Sequence, residues 1–291
     1  MPEGCEVAMM RDYLYYKIKN TKLEKIDSLC TKYKLDLTLP QKILDINSKG
    51  KFLYMTLEKS YILFTFGLTG YLSFSKTNHS RAKFTIRKKG KLYCLYLNDE
   101  INYGSITMTD DKKVLDKKIN SLSRDLLKDN YTTNDISQSI NEFINKREKN
   151  KEVKIVEFLM NQEKNKSLGC GIGNYMVCEL LYRSKISPHR KMSELSDNDV
   201  VQLTNQIKYL FKLAFYRNNN SYMEHYKNFI DKYDQMIINN KFRMYRSDTN
   251  ISNDVFKYLC YGREKDNNGN KIMKDKIVKG RTTYWSPYVQ N

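Results

Sequence analysis

The sequence predicts an α+β protein of several domains, and three observations carry the prediction. One helical face opens the chain, alternating apolar and polar runs fill residues 22–109, and helical spacing takes over from about residue 110. With 291 residues, 40% hydrophobic and 12% aromatic, the chain can bury real cores. The expected division is a β-sandwich domain with its preceding helix over 1–109, a linker at 110–130, a helical domain over 131–254 and a β-hairpin over 255–291.

The opening helix is read from Val7, Met10, Leu14 and Ile18, which fall on one face just behind MPEG. The terminal amine then sits at its positive end. KFLYMTL, YILFTFGL, AKFTIRK and KLYCLYLN alternate as strands do, between turns rich in Gly, Asn and Lys. DKKVLDKKINSLSRDLL, INEFINKREKNKEVKIVEFLMN, NYMVCELLYRSKI and VVQLTNQIKYLFKLAFYR have helical spacing. At the end, VFKYLCYGRE and TTYWSPYVQN read as two strands around the turn KDNNGNK, with Tyr258, Tyr261, Tyr284 and Trp285 facing across the hairpin.

The charge balance, 51 Lys+Arg against 33 Asp+Glu for a net +18, points to a polyanionic partner, with codon bias toward Lys accounting for part of the excess. No apolar run is long enough to span a bilayer and no secretory leader is legible, so an intracellular protein without membrane contact is expected. Cys5, Cys30, Cys94, Cys170, Cys178 and Cys260 form no C-x-x-C pair, which leaves neither a disulfide nor a zinc framework. No cofactor is expected.

Two stretches carry chemistry. If Met1 is removed, Pro2 exposes a secondary amine with an ordinary pKa of about 8, a nucleophile at neutral pH; the alternative is a proline tolerated at a frayed terminus. In FLMNQEKNKSLGCGIGNYMVCELLYRSKISP, Gly171 and Gly173 frame a tight turn and Asn174 starts a helix. Exposed N–H groups there can hold a phosphate, or the turn simply joins two helices.

MPEG, Gly50-Lys51 before a strand, FGLTG at 66–70, GIGN with its following ELLYR, and GRTTYWSP near the end together resemble the formamidopyrimidine-DNA glycosylase/endonuclease VIII family. The motifs recur in the family's order over nearly the whole chain. The resemblance implies a bifunctional DNA glycosylase and AP lyase of base excision repair, forming a Schiff base on Pro2 and proceeding by β,δ-elimination. It implies Glu3 as catalytic acid, Lys51 as a phosphate-neutralising lysine, and Asn174 and Arg281 as phosphate clamps of a helix–two-turn–helix element and a terminal finger. Glu6 and Glu179 match further acidic positions, the first near the active site and the second in the helical element. Leu68 and Tyr103 match residues that fill the space left by the extruded base, whereas Ile101 and Asn102 stand where the family carries arginines.

The departures matter too. Cys5 replaces a proline, and Ser286 and Val289 stand where the bacterial pattern has its last two thiolates. With KDNNGNK in place of the first Cys pair, no metal is expected, and the end resembles the zincless finger of endonuclease VIII-like enzymes from animals and large DNA viruses. The implied partner is damaged DNA, duplex or single-stranded, met by a monomer. The implied compartment is the nucleus or site of viral replication, or the cytoplasm of a bacterium. Through the zincless resemblance alone, oxidised pyrimidines and ring-opened or hydantoin lesions are the expected substrates. Residues 218–255, rich in Asn and Tyr, show no readable selectivity code. An idle DNA-binding relative and an RNA-binding protein are the alternative readings.

Overall fold

In the computed structural model, which describes residues 2–239 and 241–291, helix α1 (Gly4–Ile18) begins two residues behind Pro2. The face read from Val7, Met10, Leu14 and Ile18 is buried, but so are Glu6 and Asp12 on other faces, so the helix is enclosed more fully than an amphipathic pattern suggests. Asp12 is compensated by the Arg11 guanidinium at 2.6 Å and by the Tyr233 hydroxyl, which donates at 2.5 Å.

Eight antiparallel strands follow: β1 (Lys22–Ser28), β2 (Gln41–Lys49), β3 (Phe52–Leu57), β4 (Tyr61–Thr65), β5 (Tyr71–Ser73), β6 (Ser80–Lys88), β7 (Lys91–Asn98) and β8 (Ser105–Thr109). Their order is β5-β7-β6-β1-β2-β3-β4-β8. Only Lys22↔Lys42 and Leu23↔Gln41 pair β1 with β2, so the sheet turns over on itself there and forms the two leaves of a sandwich. Along β6, Ala82, Phe84 and Ile86 point inward, with Leu95 and Leu97 of β7 beside them. Phe64 of the other leaf meets Phe84 edge-on at 5.8 Å. Helix α1 packs on β2 and β3, and the Arg11 Nε donates to the Ile46 carbonyl at 2.8 Å.

Downstream lie α2 (Lys112–Ser121), α3 (Thr133–Lys146), α4 (Ile155–Met160), α5 (Asn174–Ser184) and α6 (Asp197–Tyr216), then the short α7 (Ser221–Glu224), α8 (Lys227–Ile230) and α9 (Tyr233–Ile238). Thr132 with Asp135, and Ser196 with Asp199, form reciprocal caps at the starts of α3 and α6. The run INEFINKREKNKEVKIVEFLMN is two helices rather than one. Asn150 turns back to donate to the Phe143 carbonyl at 2.7 Å, and the reversal sets Phe143 against Phe158, ring centres 4.6 Å apart.

The chain packs as two compact units: residues up to Asn120 with Asn219–Ile238, and Ser121–Asn218 with Asn239–Asn291. The segment 219–238, grouped with the helical domain from the sequence, thus belongs with the sandwich. Three tyrosines hold it there, their hydroxyls donating to the Gly70 carbonyl (Tyr222, 2.8 Å), the Leu72 carbonyl (Tyr226, 3.0 Å) and the Asp12 carboxylate (Tyr233, 2.5 Å). The stretch 110–130, expected as a linker, contains α2.

The terminal hairpin also differs from its expected pairing. Its strands are β9 (Met273–Asp275) and β10 (Thr283–Trp285), in the register Thr283↔Asp275, Tyr284↔Lys274 and Trp285↔Met273. VFKYLCYGRE is not a strand. KDNNGNK is a separate turn closed by a Lys265↔Lys271 bridge, and residues 276–282 connect the strands. The physical reason is that the N–H groups of Leu259, Cys260 and Tyr261 all point at one carboxylate, that of Glu179, and are unavailable to a ladder.

Candidate active site

Pro2, Glu3 and Glu6 come together at the start of α1, all buried, with Glu3 1% and Glu6 0% exposed. Met1 lies outside the described residues. Glu3 occupies the N-cap, and its N–H donates to Glu6 Oε2 at 3.0 Å, so Glu6 closes the helix start with its own carboxylate. The second oxygen of Glu6 accepts from the side-chain amide of Asn220 at 2.9 Å. Cys5, where the family carries proline, is fully buried within the first turn. Lys51 stands half-buried at the tip of the β2–β3 hairpin, behind Gly50 with φ 54°. A glycine at the first position of a two-residue turn tolerates that left-handed backbone.

Leu68 and Tyr103 lie on neighbouring loops of the sandwich. Leu68 is half-buried in the 67–69 turn rather than in strand core, and Tyr103 is 66% exposed. The loops are joined by two residues that the sequence did not single out, Thr69 and Asp99. The Thr69 hydroxyl donates to Asp99 at 2.5 Å and accepts from the Ile101 N–H at 3.0 Å, while the other Asp99 oxygen takes the Gly104 N–H at 2.7 Å. A Cβ at Gly67, where φ is 55°, would stand 2.7 Å from the Tyr103 backbone, so the approach requires glycine. Arg81 and Lys32 hold the carbonyls of the second loop: Asp99 and Glu100 from Arg81, Asn102 and Gly104 from Lys32. Ile101 is exposed, and Asn102 adopts φ 60°.

In the second unit, the GIGN turn is held by a side chain that composition hides, Gln162. It accepts the Gly171 N–H at 2.7 Å and donates to the Ile172 carbonyl at 2.9 Å. Gly169 allows the turn to close on Leu126, which a Cβ would meet at 2.5 Å. Asn174 opens α5 and its amide donates to the Thr282 carbonyl at 3.0 Å, which brings it beside Arg281 in the chain. Arg281 is half-buried in the turn after Gly280, with its N–H on the Val278 carbonyl.

Glu179, in the helical element as expected from the resemblance, is a buried tether. It is 0% exposed, accepts from Leu259, Cys260 and Tyr261 at 2.8–3.0 Å, and has the Arg183 Nε at 3.7 Å. The tyrosines expected to face across the hairpin instead form a cluster above α5, with Tyr175–Tyr258 at 5.6 Å, Tyr258–Tyr261 at 5.4 Å and Tyr261–Tyr284 at 5.1 Å.

The family's zinc thiolates have no counterparts here. Ser286 and Val289 offer no soft ligand, and among the described residues no group of three or more His, Cys, Asp or Glu side chains is placed to hold a metal ion. Hydrogen bonds hold this end of the chain. Asp266 accepts from the Asn268 and Asn270 N–H groups at 2.9 Å, the Asn270 amide at 3.0 Å and the Tyr182 hydroxyl at 2.9 Å. Burial pushes its carboxyl up, but these bonds, led by the Asn270 side chain, outweigh that and hold it below the usual range. Asp275 accepts from the Trp285 indole at 2.6 Å and pairs with His189 at 2.8 Å. Gln290 accepts the Ser286 N–H and donates to the Ile186 carbonyl, pinning the last residues to the end of α5.

Comparison with known proteins agrees with this architecture. Three models of formamidopyrimidine-DNA glycosylase domains match in order: the N-terminal domain at residues 1–106, the H2TH domain at 132–224 and the C-terminal domain at 247–291. The formamidopyrimidine-DNA glycosylase of Wolbachia pipientis from Culex pipiens is 27% identical over 218 residues, covering 72% of this chain and 76% of its own. That of Pelotomaculum thermopropionicum is 25% identical over 303 residues, covering 100% and 99%. The crystal structure of the MutM (Fpg) protein from Thermus thermophilus superposes with a TM-score of 0.73 at 19% identity, over 99% of this chain and 98% of that one. These relatives are bacterial and lend no support to a viral source. With all three domain models in sequence, and a sandwich, helix–two-turn–helix unit and terminal hairpin to match, the chain belongs to the formamidopyrimidine-DNA glycosylase/endonuclease VIII family of base-excision DNA glycosylases with AP-lyase activity.

Proposed function

We propose that this glycosylase works through the Pro2 amine, with Glu3 as its acid, on oxidised pyrimidines and on hydantoin or ring-opened bases in DNA. The observation that supports the reading best is the buried Pro2–Glu3–Glu6 group at the start of α1. A base must first leave the stack, since C1′ is out of reach inside a duplex. The amine nitrogen then bonds to C1′ as the glycosidic bond breaks, and the base departs with that electron pair and takes up the proton that the amine nitrogen sheds. Glu3 protonates the ring oxygen, the sugar opens, and an iminium forms between Pro2 and C1′. That iminium acidifies C2′: loss of its proton expels the 3′ phosphate, a second elimination expels the 5′ phosphate, and water releases the sugar fragment.

Lys51 neutralises phosphate charge near the opened sugar, and Asn174 and Arg281 grip backbone phosphates from the helix start and the finger turn. Leu68 and Tyr103 enter the vacated space, Thr69 and Asp99 holding their loops as one wedge. Ile101 and Asn102 cannot hydrogen-bond the orphaned base as arginines would, so opposite-base preference is weak and single strands are good substrates. The protein acts as a monomer.

Borohydride trapping on a panel of duplex and single-stranded lesions tests the proposal. A covalent protein–DNA adduct on hydantoin and oxidised-pyrimidine substrates is the expected result. An idle DNA-binding relative leaves no adduct on any lesion, and strong duplex dependence with sharp opposite-base discrimination contradicts the wedge reading.

A further inference from the structure

Glu6 is held from two directions, one within its own helix and one from far along the chain. Oε2 accepts the N–H of the Pro2–Glu3 peptide at 3.0 Å, while Oε1 accepts the Asn220 amide at 2.9 Å, across 214 residues of sequence. Asn220 is itself fixed, because its other side-chain atom accepts the Met223 N–H at 3.1 Å and so caps α7. The neighbouring Tyr222 hydroxyl anchors the same helix to the Gly70 carbonyl, on the loop that carries Leu68.

A peptide group is planar, so holding the Glu3 N–H also fixes the Pro2 carbonyl and leaves one backbone rotation to set the direction of the ring nitrogen. A carboxylate with a partner on one oxygen alone can rotate about its terminal torsion, which is broad. A second donor on the other oxygen removes that freedom. We propose that Asn220 is a positioning residue for base excision: its amide locks the Glu6 carboxylate, which aims the Pro2 amine and the Glu3 acid. The inference rests on the Pro2 reading above. Misplacement of about 1 Å at an attacking group can cost on the order of 100-fold in rate.

Three variants separate this role from simple capping of α7. Asn220→Asp keeps the cap acceptor but loses the donor and sets a carboxylate against Glu6. Asn220→Ser also keeps a cap acceptor and is too short to reach Glu6. The double variant Glu6→Gln/Asn220→Asp reverses the polarity: the amide introduced in helix α1 donates to the carboxylate introduced ahead of α7, and its oxygen still accepts the Glu3 N–H. Single-turnover excision, DNA affinity and melting temperature are measured for each, with borohydride trapping of the unsubstituted protein as the reference.

The single variants should lose about 10- to 100-fold in excision rate at unchanged DNA affinity, with the melting temperature little changed in Asn220→Ser and lowered in Asn220→Asp by the facing carboxylates. The double variant should recover most of the loss suffered by Asn220→Asp. Relative to wild type, Asn220→Asp should also regain rate as the pH falls, because a proton shared between two carboxylates restores the bridge. Wild-type rates in both single variants, or a double variant no faster than Asn220→Asp, would overturn the inference while the Pro2 mechanism stands. Failure of the unsubstituted protein to trap would overturn the mechanism, and this role with it.

Discussion

Glu6 and Glu179 are both fully buried carboxylates that accept main-chain N–H groups, yet one closes a span of three residues and the other reaches across eighty. Glu6 caps its own helix, so little chain entropy is spent on the contact, and its second oxygen is left for Asn220. Glu179 gathers three successive N–H groups of a segment that has no strand partner, and in doing so decides where the finger sits on α5. The difference teaches that buried acids here serve two ends. One orders the reacting groups, and the other replaces the backbone ladder that VFKYLCYGRE lacks.

Removing the acid at the reacting end should have the largest effect. Glu3→Gln keeps the shape of the N-cap and should reduce excision by about 10²- to 10⁴-fold at unchanged DNA affinity. Cleavage of damaged duplex at the wild-type rate would mean that Glu3 is not the acid. Glu179→Ala reverses the pattern. It strands buried N–H groups at about 1–3 kcal/mol each, so stability in urea should drop by at least about 3 kcal/mol. Glu6→Ala should cost only about 1 kcal/mol, as loss of a helix cap does, while impairing excision more. Equal stability losses in the two alanine variants would break the comparison.

How far these roles could be read beforehand follows from the same distinction. The sandwich and the helical unit were legible because alternation and helical spacing are local signals. The tether made by Glu179 left no trace in the sequence, since its partners at 259–261 lie far along the chain. Tyr258 and Tyr261 suggested a strand because aromatic alternation reads the same whether N–H groups face a ladder or a carboxylate. Gln162, Thr69 and Asp99 carried no signal of their own, each acting through a loop brought near by folding. The move of 219–238 to the first unit rests on three tyrosine hydroxyls bonding to Asp12 and to strand-edge carbonyls, which composition cannot reveal.

Smaller effects sharpen the picture of the finger. Because hydrogen bonds hold the Asp266 carboxyl below its ordinary value, that group stabilises the fold fully above its unfolded pKa of about 4, and the contribution is lost as pH falls through the lower folded value. Protease cleavage within 264–271 should therefore rise below about pH 4, and Asp266→Asn should abolish that pH step; a step that survives the substitution would remove Asp266 from the account. Trp285→Ala breaks the indole bond to Asp275 and should weaken binding to every DNA lesion alike by loosening the turn that carries Arg281. Lesion-selective weakening would contradict it. Prolonged chelation is expected to change neither melting temperature nor excision, and restoration of lost activity by zinc would overturn the hydrogen-bonded finger.

The most direct test of the central claim is to map the borohydride-trapped adduct by mass spectrometry. The account predicts that the deoxyribose remnant sits on the nitrogen of Pro2, at the N-terminus of a peptide that lacks Met1. An adduct on a lysine side chain, or full activity in protein that retains Met1, would contradict it.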